Sequence, residues 1–123
     1  MGLILFPDSF YRETAKNLFF FSDKYSIKYI IGSSLNEIYD FVEELRNLNH
    51  SVLDKEPHGK LDRYLPTNEV SIYTLIYNLL AIEYQLQEIP NNLTVKKLKG
   101  VINSLLIEFF YEKYEEQKER SKK

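Results

Sequence analysis

The sequence contains no cysteine and no tryptophan, and it has only two histidines, four glycines and four prolines. The lack of cysteine excludes disulfides, thiolate nucleophiles and cysteine-ligated metal ions. The few glycines do not form the glycine-rich loop that cradles phosphates. A net charge of −2 lacks the strong basic excess of many nucleic-acid-binding domains, so we expect no nucleic-acid partner.

What the chain does contain is typical of a folded domain. Hydrophobic residues make up 44% of it, and ten tyrosines and eight phenylalanines supply bulk for a core. Its length predicts a single domain over residues 1–123. The densest apolar stretch, residues 70–82, is interrupted by polar residues and is too short to span a bilayer. With no signal-peptide pattern either, we expect a cytoplasmic protein without a membrane partner.

The first third of the chain mixes strand and helix signals. The apolar run at residues 3–6 and the alternation at residues 26–31 each predict a short strand. Between them, Asp8 or Ser9 is expected to cap a helix that ends near residue 21, because either side chain can accept the unpaired N–H groups of a first turn.

A capping box, Ser34 followed by Glu37, begins the next predicted helix. Its apolar residues recur at the spacing of one helical face: Leu35, Ile38, Tyr39, Val42, Leu45 and Leu48. Residues 49–68 have no such periodicity and predict a long connection.

Residues 69–87 predict a helix that is apolar around most of its circumference and is therefore covered on two sides. A narrow polar strip of Ser71, Thr74, Asn78 and Gln85 interrupts it. Thr94 is expected to cap a last helix that continues into a charged end at 111–123. The fold class is then mainly α (α+β), about four helices with two short N-terminal strands; the alternative is an all-α helical bundle.

Two surfaces are candidates for binding a protein partner. Tyr73, Tyr77 and Tyr84 line one side of the helix at 69–87, and they belong either to the core or to an interface. The second predicted surface is the acidic side of the preceding helix, where a basic partner or solvent could lie: Glu37, Asp40, Glu43 and Glu44.

One motif resembles a known nuclease family. Residues 46–50, Arg-Asn-Leu-Asn-His, resemble the Arg-and-His motif of HEPN-type ribonucleases. That resemblance implies RNA cleavage by Arg46 and His50, although three residues separate the two where the family usually has four to six.

A second resemblance concerns the predicted order strand, helix, strand, helix over the first 45 residues. It resembles the first half of a PIN-type nuclease domain, with Asp8 and Glu37 at the positions of metal-binding acids. The second half offers no matching strands or acids.

The two histidines each precede an aspartate by four residues, which is a pairing that a metal ion could use. We interpret them as solvated loop residues and expect no metal or other cofactor.

These observations favour a small, non-catalytic protein–protein interaction module. Residues with A+T-rich codons are abundant (Phe, Tyr, Met, Ile, Asn and Lys), which favours a gene from a low-G+C bacterium, an archaeon or their viruses and plasmids. That origin, the lack of a catalytic constellation and the many tyrosines suit an inhibitor, immunity protein or phage-encoded anti-defence protein. The alternatives are a metal-dependent PIN-like or a HEPN-like nuclease, and a helical subunit that assembles with copies of itself.

Overall fold

The computed structural model describes residues 3–63 and 70–121, and it confirms that the chain is mainly α. Five helices occur in these residues: α1 (Asp8–Phe21), α2 (Lys28–Ile31), α3 (Leu35–Val52), α4 (Ile72–Gln85) and α5 (Leu93–Ser121). Helix α1 packs against α3 and α4, and α5 covers α4, α3 and α2. The all-α alternative therefore fits the described residues.

The two predicted strands are not formed. Residues 3–7 are irregular, and residues 28–31 are one helical turn whose Ile30 and Ile31 amides donate to the Ile27 carbonyl. The alternating pattern would have buried Tyr29, yet its side chain is exposed while Ile27 is buried. Positions 27, 30 and 31 have helical spacing, which competes with the alternation over so short a segment.

The predicted start of α3 was correct. Ser34 and Glu37 form the capping box at the start of α3, and the predicted apolar face of α3 packs in or against the core. Helix α1 begins at Asp8, so its N-cap residue is Pro7, which has no side-chain acceptor; the predicted cap by Asp8 or Ser9 is not formed. The Asp8 carboxylate pairs with Arg46.

Helix α3 continues to Val52, so the first residues of the predicted connection at 49–68 are helical. In α4, Ser71 accepts a hydrogen bond from the Thr74 amide, and the predicted start at Glu69 lies outside the described residues.

Helix α5 has a different cap from the one predicted. Asn92 Oδ1 accepts hydrogen bonds from the amides of Thr94 and Val95, at 2.8 and 3.2 Å. Thr94 instead donates its hydroxyl to Glu44. The helix then runs through most of the predicted charged end, and residues 122–123 lie outside the described residues.

Contacts from the α1–α2 connection hold the carboxyl half of α5. The Tyr25 hydroxyl donates to Glu112 at 3.0 Å, and Ser26 donates to Glu108 at 2.9 Å. The hydrogen bond from Tyr25 lowers the pKa of the Glu112 carboxyl. Helix α5 has 29 residues and is about 44 Å long at 1.5 Å per residue, whereas α4 has 14 residues. The contacts from Tyr25 and Ser26 therefore hold a part of α5 that extends past α4.

Candidate protein-interaction surface

Helix α4 buries its polar strip, contrary to the usual arrangement of an amphipathic helix. Asn78 and Gln85 are 4% and 3% exposed, beside the buried leucines Leu75 and Leu79. The sequence predicts a helix covered on two sides, but the described residues cover only the side that carries Asn78, Gln85 and the buried leucines. The opposite side carries the tyrosines.

Hydrogen bonds to α1 and α3 make the burial of the polar strip tolerable, since a buried amide without partners is costly. Asn17 Oδ1 accepts from the Ser71 amide at 3.0 Å. Asn78 Nδ2 donates to Glu13 and Thr14.

A second set of these bonds runs from α4 to α3 and then to α1. Gln85 Nε2 donates to Asn49 Oδ1 at 2.7 Å, and Asn49 Nδ2 donates to the Tyr11 hydroxyl at 2.9 Å. The Ile4 amide donates to the Gln85 side chain, which fixes the N-terminal segment. Burial raises the pKa of the Tyr11 phenol to about 12, so it is a neutral donor and acceptor here. These bonds and the burial of Leu75 and Leu79 hold the same side of α4 against the core.

The outward side of α4 is a row of large side chains that we call the tyrosine face: Tyr73, Tyr77, Leu80 and Tyr84. Tyr73 and Tyr77 are 64% and 71% exposed, and Tyr84 is 49% exposed. In the described structure the three predicted tyrosines are thus surface residues on one helix.

The tyrosine face continues onto α5. The rings of Tyr73 and Phe109 meet edge to face with centroids 5.4 Å apart, and the Phe110 ring lies 5.8 Å from that of Phe109. Around this position α5 exposes four large apolar or aromatic side chains at helical spacing: Ile107, Phe110, Tyr111 and Tyr114. We call these four and the tyrosine face together the aromatic surface. Sequence reasoning missed the α5 part, although the spacing i, i+3, i+4, i+7 of these residues was available to find it.

The predicted acidic side of α3 makes many contacts within the chain. Arg63 pairs with both Asp40 and Glu43, and hydrogen bonding with Asp40 raises the pKa of Arg63. Glu43 also accepts from the Leu61 amide, at 3.0 Å. Through these contacts Asp40 and Glu43 bind the segment that follows α3 to the side of that helix.

The other two acidic residues also have partners in the described structure. Glu37 caps α3 through the Ser34 amide, and Glu44 accepts from the Thr94 hydroxyl at 2.7 Å. Each of the four predicted acidic residues therefore has a contact within the chain.

Of the residues that resemble nuclease motifs, Arg46 and His50 are buried. Arg46 is 1% exposed, and its guanidinium donates to Asp8 and to the backbone carbonyls of His58 and Gly59. His50, one turn further along α3, is 5% exposed, and burial lowers its pKa. Glu37 lies in the capping box at the other end of α3 and is not brought to Asp8. The structure thus places Arg46 and His50 together, but beneath the segment that follows α3.

Two further features bear on function. Among residues 3–63 and 70–121, no three acidic or histidine side chains are grouped so that they could hold a metal ion. Within the same residues, none of the helices has the length and apolar character needed to cross a bilayer.

No protein-family model, curated protein or solved structure matches the chain.

Proposed function

We propose that the protein is a non-catalytic interaction module that binds another protein chain through its aromatic surface. The single observation that carries this proposal is the orientation of α4, which buries Asn78 and Gln85 and exposes Tyr73 and Tyr77. Burying polar side chains requires several hydrogen bonds, whereas exposing large aromatic rings to water does not stabilise the isolated chain. A large exposed apolar patch marks an interaction site in many soluble proteins.

The residue types on this face support the same conclusion. Tyrosine is enriched at the centres of protein interfaces, because its ring is large and has few torsions to order. The rings of Tyr73 and Phe109 already support one another, which reduces the ordering that binding requires. An inhibitor, immunity protein or anti-defence protein acts by covering a partner's surface, and this face has the chemistry for that role.

The burial of Arg46 and His50 supports a non-catalytic role over the nuclease alternative. An RNA substrate has to reach both groups, and in the described structure the guanidinium of Arg46 is covered by Asp8 and by backbone carbonyls. Incubation of the purified chain with labelled RNA and DNA, in Mn²⁺ or in EDTA, is expected to give no cleavage. Cleavage that His50→Gln abolishes in a folded variant would overturn the proposal.

Affinity capture from the native host tests the binding surface. A tagged wild-type chain is expected to capture a protein in stoichiometric amount, either a different protein or an untagged copy of the same chain. Tyr77→Glu is expected to lose that protein. Tyr29→Glu is the matched control, since Tyr29 is 80% exposed on α2 and lies outside the aromatic surface. Retention of the same protein by Tyr77→Glu, or its loss with Tyr29→Glu, would contradict the proposal.

A further inference from the structure

The ring of His50 is buried with one nitrogen unpaired. His50 is 5% exposed, and within the described structure its Nδ1 atom has no hydrogen-bond partner. Such an atom is uncommon in a folded protein and calls for an explanation. In the neutral ring Nδ1 can remain an unprotonated acceptor, whereas the protonated ring has an N–H donor there that finds no acceptor. The closed structure therefore suits the neutral ring alone.

The cover over His50 is the segment that follows α3, residues 53–63, which we call the strap. It forms no helix or strand, and side chains of α3 hold it in place. Arg46 donates to two of its backbone carbonyls, and Glu43 accepts from the Leu61 amide. A segment held by a few such contacts can open at a lower free energy than the packed helices around it.

A cleft of about 240 Å³ lies between α3 and the first half of the strap. Asn47 and Ser51 line it on the helix, and residues 54–57 line it on the strap. The charged side chains of residues 54–56 are exposed to solvent. This half of the strap is thus incompletely packed against α3, so little apolar contact is lost when it opens.

Positive charge near His50 opposes its protonation while the strap is closed. Burial and then the Arg46 charge are the main reasons that the pKa of His50 is lowered, and His58 in the strap adds to them. Arg46 and His50 are four residues apart, so they lie on the same side of α3. A second positive charge placed on this side has no carboxylate of its own, because Asp8 already pairs with Arg46.

The groups that favour the proton only partly offset these effects. Asp8 at the start of α1 attracts it, and a hydrogen bond with the backbone of Glu56 in the strap does the same. Tyr11, the other titratable group on this part of α1, has its pKa raised to about 12 by burial and is neutral.

We propose that the strap is a pH-sensitive element that opens locally when His50 takes up a proton. Opening gives the Nδ1–H donor access to water and leaves Arg46 paired with Asp8. The strap is separate from the aromatic surface, so this inference is independent of the proposed function.

Amide hydrogen exchange of the full chain, followed by NMR at about pH 7.5 and about pH 5.5, tests the proposal. The Leu61 amide reports on the strap, and the amide of the fully buried Leu105 in α5 reports on the whole fold. After correction for intrinsic exchange rates, we expect Leu61 to be less protected than Leu105 at both pH values. Its protection should fall several-fold at the lower pH, up to about tenfold for one unit below the ordinary pKa of 6.5.

Variants of the two histidines assign the response. His50→Gln takes up no proton and is expected to remove the pH dependence of Leu61 protection. His58→Gln is the matched control, because it changes an exposed histidine of the strap and keeps the backbone carbonyl that accepts from Arg46. It is expected to respond as the wild type. If His50→Gln does not fold, His50→Leu serves the same purpose.

Four outcomes overturn the inference. They are a wild-type Leu61 protection that does not change with pH, a change that survives in the His50 variant, a change that His58→Gln abolishes, and equal protection of Leu61 and Leu105. The last would show that the strap opens only when the whole protein unfolds.

Discussion

Arg46 on α3 reaches the first residue of α1, where its Nε lies 2.9 Å from Oδ1 of Asp8. The same guanidinium donates to the carbonyls of His58 and Gly59, so one buried cation joins three segments. A buried arginine needs this full set of acceptors, because an uncompensated buried charge is strongly destabilising. The motif that resembles a nuclease thus has a structural role in this fold.

Asp8→Ala is expected to lower the free energy of unfolding by about 1–3 kcal/mol, since it leaves the buried Arg46 charge without its half-exposed carboxylate partner. Urea denaturation measures the change. Glu116→Ala is the control, because it breaks an exposed pair with Lys113 on α5 and should cost about 0.5 kcal/mol or less. Equal losses in the two variants would show that Arg46 has no special dependence on Asp8.

Tyr11→Phe is expected to lower the free energy of unfolding by about 1–3 kcal/mol, because Asn49 Nδ2 then lacks its acceptor in a buried site. Thermal or urea unfolding checks this. Tyr29→Phe removes the same atom from an exposed ring, and we expect no measurable change. If the two substitutions are equally mild, the Tyr11–Asn49–Gln85 chain of hydrogen bonds does not contribute to stability.

The stability of the protein should depend on pH through His50. Burial and the Arg46 charge lower its pKa below the ordinary value of 6.5, and the nearby Asp8 only partly offsets this while His58 adds to it. The unfolded chain therefore binds the proton more readily. We expect His50 to favour the native state fully above pH 6.5, and this contribution to be lost as the pH falls from 6.5 through the lower native pKa.

Unfolding free energies of the wild type and of His50→Gln, measured from about pH 8 to about pH 5, isolate this effect. The difference between the two proteins should be constant above pH 6.5 and should change in favour of His50→Gln below it. A difference that is independent of pH would contradict a buried, neutral His50.

Features of the fold that depend on neighbours in the sequence could be predicted. The capping box joins Ser34 and Glu37, three residues apart, and the apolar face of α3 follows from helical periodicity alone. Residues 27–31 show the limit of such patterns, because their apolar positions fit a strand and a helical turn equally well, and packing on α3 and α5 selects the turn.

The orientation of α4 could not be predicted, because distant residues determine it. Asn78 is buried where Glu13 and Thr14, 65 and 64 residues earlier in the chain, supply its hydrogen-bond partners. In the sequence, Asn78 belongs to a polar strip and Tyr77 to an apolar side. The sequence therefore placed the three tyrosines on one side of the helix, while their exposure required the structure.

The most direct test of this orientation compares two neighbouring residues, Tyr77 and Asn78, by urea denaturation at concentrations where light scattering shows a single chain. Tyr77→Glu is expected to change the free energy of unfolding by about 0.5 kcal/mol or less, because the ring is a surface group. Asn78→Ala is expected to lower it by about 1–3 kcal/mol, because buried hydrogen bonds are lost. The reverse order, a large loss for Tyr77→Glu and none for Asn78→Ala, would place the tyrosines in the core and contradict the aromatic surface.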